Sequence, residues 1–164
     1  MEELVNTIRE QTVTLLFNMS TAIKTCDMDA ILCDMPVWKH VYHVLHSLDR
    51  WFINPVEYQE PPFHEVDLNS LDIPSGRVLI REELLSYFET IKNKLYLYLD
   101  ALTDDMLCEK PSGCPYNRMA LVLGQFRHLY AHMGNINATT ILATGKWPRV
   151  VGMDADFSKG PYEE

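Results

Sequence analysis

Basic residues are scarce in this chain: 14 Lys and Arg stand against 23 Asp and Glu, a formal net charge of −9 over 164 residues. No Lys/Arg cluster relieves that balance, which argues against nucleic acid or an anionic membrane surface as a partner, since both select basic patches. No uninterrupted apolar run approaches the ~18 residues of a membrane span. The opening stretch, M-E-E-L-V-N, is acidic and amphipathic, the opposite of a secretory signal, so a cytoplasmic protein is expected. The four cysteines, Cys26, Cys33, Cys108 and Cys114, sit at x6 and x5 spacings that match neither a zinc ribbon nor a redox motif. Without an export signal they are expected to stay reduced. Internal repeats and a strong β-hairpin signal are also missing.

What is present is helical periodicity in a chain of globular composition, with 47% hydrophobic and 23% charged residues. From Glu2 to about Thr25, Leu4, Ile8, Leu15, Leu16, Met19 and Ile23 recur at three- and four-residue steps, an amphipathic helix. Turn-type residues fill Asp27 to Asp34, and Pro36 suits the first turn of a second helix that runs to Ile53, where Asn54-Pro55 ends it. Residues 54–77 form a long irregular segment with Pro55, Pro61, Pro62, Pro74 and Gly76, of a length often found in lids and site walls. Its Tyr58 and Phe63 are expected to pack onto the body.

A third helix is expected from Ile80 to Leu102, with a stripe of Ile80, Leu84, Phe88, Ile91, Leu95, Leu99 and Leu102; at ~1.5 Å per residue it is about 34 Å long. T-D-D-M-L from Thr103 reads as a cap and one short turn. Asn117 can cap a fourth helix reaching Thr144, with Gly145 at its left-handed stop. Residues 146–164 have no period and are expected to wrap the surface or a partner subunit. The architecture these elements predict is all-α: one domain over residues 1–164, an antiparallel four-helix bundle with a long loop between helices 2 and 3.

Five of the six histidines fall on helices 2 and 4. His128 and His132, four apart in Q-F-R-H-L-Y-A-H-M-G-N-I-N, share a helix face, where two imidazoles can hold one metal ion. On helix 2 the apolar stripe is Val37, Val41, Val44, Leu45, Leu48 and Phe52. His43 and His46 fall opposite it, with His40 at its edge. The helix 4 pair lies off the stripe of Val122, Phe126, Leu129, Met133 and Ile136. Either these histidines are solvated, or both helices line a second, polar groove where a metal site between facing helices is built.

Y-H-V-L-H-S-L-D-R-W-F on helix 2 and R-H-L-Y-A-H-M-G-N-I-N on helix 4 resemble the DinB-like superfamily, four-helix bundles many of which are regarded as metal-dependent enzymes. The likeness extends to helix lengths, the long loop and the T-D-D-M-L turn. It implies a metal site of one helix 2 histidine with His128 and His132. The family's H-x5-[DE] pattern fits His43 with Asp49, and Val44-Leu45 then supply the apolar pair that follows the ligand. A competing register takes His46, which follows Trp38 at the spacing some members show and precedes Asp49 by three. The resemblance also implies a dimer. So does the count of Trp51, Phe52, Trp147 and Phe157, more aromatic surface than short bundle faces bury.

Three neutral imidazoles would leave open positions on a divalent ion, Zn, Ni or Fe, which can lower the pKa of bound water toward ~7 or activate a thiolate. The superfamily includes S-transferases that use low-molecular-weight thiols, and members linked to hydrolysis, so a small-molecule substrate is implied. His46 could support the ligands as a neighbour, Asp49, one turn beyond His46, could fix its tautomer, and Asn135, one turn beyond His132, could touch the metal water. Arg127 could hold an anionic substrate, and His64 could reach in from the loop, though for each a surface role is the plainer reading. The competing class is a non-catalytic metal- or ligand-binding bundle with a sensing or assembly role.

Overall fold

The computed structural model describes residues 2–153 and 156–163. Four long helices dominate: α1 (Glu3–Thr25), α2 (Val37–Trp51), α3 (Arg81–Asp100) and α4 (Arg118–Thr144), with a one-turn 3-10 helix at Asp105–Cys108. Each of α1 and α2 packs on both α3 and α4. The apolar stripes meet in one core, where Leu15, Met19, Val44, Leu45, Leu48, Ile91, Leu95, Val122, Leu129 and Ile136 are all buried. No helix among the described residues is long and apolar enough to cross a membrane.

The ends of the helices follow from identifiable partners. Asn117 accepts the Ala120 N–H at 2.8 Å, opening α4, and Gly145 closes it at φ 69°, a conformation that glycine adopts without a Cβ penalty. At the start of α1 the first N–H groups are capped from far along the chain: Asp104 accepts from Val5 at 2.9 Å and Leu4 at 3.2 Å. Those two bonds hold the Asp104 carboxyl below its usual range. At the other end of α1, Arg81 donates to the carbonyls of Ile23 and, at 2.7 Å, Cys26. Ile80, assigned to the α3 stripe from sequence, is instead the exposed residue ahead of that helix, its N–H taken by Glu83 at 3.0 Å.

Two features depart from an all-helical chain. Ile31–Leu32 (β1) and Met35–Pro36 (β2) pair antiparallel around Cys33 and Asp34, whose φ values are 48° and 65°. Strands of two residues cannot display the alternation that marks a strand in sequence, so this hairpin carries no periodic signal. The tail also folds back on itself: Pro148 bridges Tyr162, and Arg149 N–H donates to Pro161 at 2.8 Å. It is fastened to α1, since Asn18 both donates to and accepts from the Val151 backbone, at 3.0 and 2.8 Å, and Phe157 lies edge-on to Phe17. Phe52, counted as surplus aromatic surface from sequence, is fully buried in the core.

The segment between α2 and α3 is irregular but closely packed. Leu68 and Leu79 are buried, Phe63 packs on the core, and the buried Lys39 ammonium donates to the Ile73 carbonyl. This covering explains why α2 is buried almost all round, His40 and His46 included. A helical wheel identifies the face toward the bundle core, and has no knowledge of a loop folded over the opposite face.

Candidate metal centre

His128 and His132 lie one turn apart on α4, their ring centroids 4.6 Å apart. The α2 histidine brought to them is His43, with centroids 5.2 Å from His128 and 4.9 Å from His132. All three are half-buried, and each places a ring nitrogen within 4.8 Å of the other two, a grouping that could hold a metal ion. The His43 and His128 Nε2 atoms are 3.2 Å apart. Two nitrogens bound to one tetrahedral Zn²⁺ at ~2.0–2.1 Å would lie about 3.3–3.4 Å apart, so this pair already has the needed spacing.

The tautomers fit the same use. His43 Nδ1 lies 2.8 Å from the main-chain carbonyl of Asn69, an acceptor only, so the ring proton sits on Nδ1 and the Nε2 lone pair points at the other two histidines. Such support of the distal nitrogen is what orients histidine ligands in metal sites. His128 Nδ1 is buried and has no hydrogen-bond partner among the described residues. Burial pushes His128 below the ordinary imidazole range, with His43 adding to the effect. Burial, together with the neighbouring imidazoles of His128, His43 and His40, takes His132 down to about 4. The α4 pair is therefore neutral at physiological pH, the form that ligates.

The remaining candidates lie elsewhere. His46, only 3% exposed, places Nε2 2.6 Å from Glu60 and stacks on His64 with ring centroids 4.9 Å apart. Asp49 does not fix the His46 tautomer: it accepts from the Tyr87 hydroxyl at 3.0 Å and the Lys94 ammonium at 2.6 Å. Asn135 and Arg127 are exposed on α4. His40 Nε2 is 2.6 Å from the Leu32 carbonyl and so ties β1 to α2. None of the four cysteines forms a disulfide; Cys26 and Cys114 are buried, and burial raises the Cys26 thiol to about 11.

Sequence reasoning did not find Asn69 or Glu60. Asn69 acts through its carbonyl, which every residue has. Glu60 and His64 do stand four apart, the spacing that drew attention to α4, but in a segment with no helical period. A cavity of about 770 Å³ opens between this segment and α3, lined by Asp49, Glu60, Phe63, Arg77, Tyr87 and Lys94 among others and by none of His43, His128 and His132. The chain matches no family model, no curated protein and no solved structure.

Proposed function

We propose that the protein is a divalent-metal-dependent enzyme that holds its ion with His43, His128 and His132 and acts on a small molecule, as a thiol S-transferase or a hydrolase. The supporting observation is the convergence of three half-buried imidazoles, two of them at the nitrogen spacing of metal ligands and one with its proton fixed on the far nitrogen. Imidazole suits Zn, Ni and Fe alike. When bound at three protein ligands, such an ion supplies Lewis acidity at its open positions. The chain's own part is positional: α4 sets the spacing of one pair, and the Asn69 carbonyl aims His43 at it. Burial keeps protons from competing for His128 and His132.

The same proposal includes membership of the DinB-like superfamily, for which the support is the motif residues on α2 and α4 with the long intervening segment. It also includes an antiparallel arrangement of the helices, supported between α1 and α3 by Asp104, beyond the end of α3, capping the start of α1, and by Arg81, at the start of α3, binding the end of α1. A cytoplasmic location accords with four unpaired cysteines. A homodimer without nucleic-acid partners completes the reading, supported by exposed Trp51, Leu123, Tyr130 and Leu142 and by the acidic balance of the chain.

One observation favours the non-catalytic alternative: the 770 Å³ cavity is not lined by the three histidines. Metal analysis of purified protein, followed by thiol-conjugation and ester-hydrolysis screens, separates the two. Turnover that disappears in His132→Ala together with the metal supports the enzyme. Stoichiometric metal with no turnover in any screen supports the binding bundle. Wild-type protein without metal affinity ends the enzyme and the metal-binding bundle alike.

A further inference from the structure

Two imidazoles and a carboxylate outside the three-histidine site converge on one point. His46 comes from α2; Glu60 and His64 come from the segment folded over it. Their ligand atoms all lie within 4.8 Å of one another. The two rings are nearly parallel, at 21°, and both Nε2 atoms approach the same oxygen: Glu60 Oε2 is 2.6 Å from His46 and 3.8 Å from His64. The far nitrogen of His64 is anchored, since Nδ1 lies 2.8 Å from the Tyr42 hydroxyl. Tyr58 adds a hydroxyl 3.2 Å from Glu60 Oε2. The His46 side chain is 4% exposed and that of His64 16%, whereas Glu60 is 43% exposed and free to shift.

We propose that His46, Glu60 and His64 form a second divalent-cation site, which fastens the α2–α3 segment onto α2. Two histidines with one glutamate are a known Zn²⁺ ligand set, with metal distances of ~2.0–2.2 Å. Ligand atoms around a tetrahedral ion stand about 3.3–3.4 Å apart. Glu60 Oε2 therefore has to withdraw from His46 by about 0.7 Å, opening the 2.6 Å hydrogen bond, and to close on His64 by about half an ångström. Both displacements belong to the exposed carboxylate; the His64 ring, stacked nearly parallel to His46, also has to turn so that the two in-plane lone pairs meet at one ion, while the buried His46 stays where it is. His64 ligates through Nε2 when Nδ1 carries the proton toward Tyr42. The segment so fastened also carries Asn69, whose carbonyl aims His43. A cation at the second site thus stiffens the support of the first.

The proposal rests on residues separate from the three-histidine centre, and metal counting tells the two apart. Full-length protein is stripped with chelator, equilibrated with buffered Zn²⁺ alone, and its bound equivalents are measured by mass spectrometry. Two equivalents are expected for wild type. One is expected for His132→Ala, one for Glu60→Gln or His64→Ala, and none for His132→Ala combined with His64→Ala. Glu60 and His64 are the chosen positions because they lie on the outer side, so these variants keep the buried His46; circular dichroism checks the fold. Equal Zn²⁺ content in wild type, Glu60→Gln and His64→Ala overturns the proposal. A single wild-type equivalent lost in Glu60→Gln but kept in His132→Ala sustains this site and overturns the proposed function. A wild type that binds no Zn²⁺ overturns both.

Discussion

Metal binding at His43, His128 and His132 should be readable as heat resistance. A ligand that binds only the folded chain stabilises it by RT ln(1 + [L]/Kd), about 2.7 kcal/mol when free metal is a hundredfold above Kd. For a chain of this length each kcal/mol moves the melting temperature by about 2–4 °C, so an increment of about 5–11 °C is expected. The measurement belongs in a His64→Ala background, where the second cluster is disabled. Melting is followed by circular dichroism in excess chelator and in buffered Zn²⁺. Adding His132→Ala should abolish the increment while leaving the metal-free melting point nearly unchanged. The three rings are half-buried, and of their contacts it is the His43 bond to Asn69 that carries a hydrogen-bond cost, about 1 kcal/mol. His43→Ala should behave alike, with a small extra loss for its bond to Asn69. An increment that survives His132→Ala would show that the metal sits elsewhere, and no increment in the parent would remove the site altogether.

Asp49 offers a contrasting case. Replacing it with Ala strands the buried Tyr87 hydroxyl and unpairs Lys94, which should cost about 1–3 kcal/mol in a urea titration yet leave metal content unchanged; a metal loss would mean that Asp49 supports the ligands after all. Metal-free protein should lose stability as pH falls. Imidazoles whose folded pKa lies below the unfolded value of about 6.5 bind more protons when unfolded, so their contribution is present above that value and lost on acidification toward about 4. Denaturation midpoints in chelator that stay flat from pH 7 to 4.5, or rise, would refute this. Finally, light scattering should give a mass of twice 19.0 kDa at micromolar concentration, and a monomer mass would dismiss the homodimer.

The helices announced themselves because period and punctuation agree. Asn117 and Gly145 bound α4 where capping chemistry puts them, and α2 stops at Trp51, just short of Asn54-Pro55. The i, i+4 relation of His128 and His132 is a local property of a helix, and so could be read directly. Relations across elements had no such signal. Nothing in the order of residues pairs Asp104 with the start of α1, or Asp49 with Lys94. On a helical wheel His46 faces away from the stripe, which points to solvent or to a polar groove. That face is covered by an aperiodic segment whose path is set by Lys39, Phe63 and Leu68, and no window of sequence displays that path.

The bond from His43 to Asn69 has a consequence for how this chain can change over time. The group that aims the ring is a main-chain carbonyl, identical whichever amino acid occupies position 69. Point substitutions there leave the aiming group chemically untouched, so the aim of His43 does not depend on which side chain stands at 69. Insertions and deletions are another matter, since one residue gained or lost between the Lys39 anchor at Ile73 and the contacts of His64 moves that carbonyl out of register. Selection at this support should act on the length of the segment and leave the identity of residue 69 free.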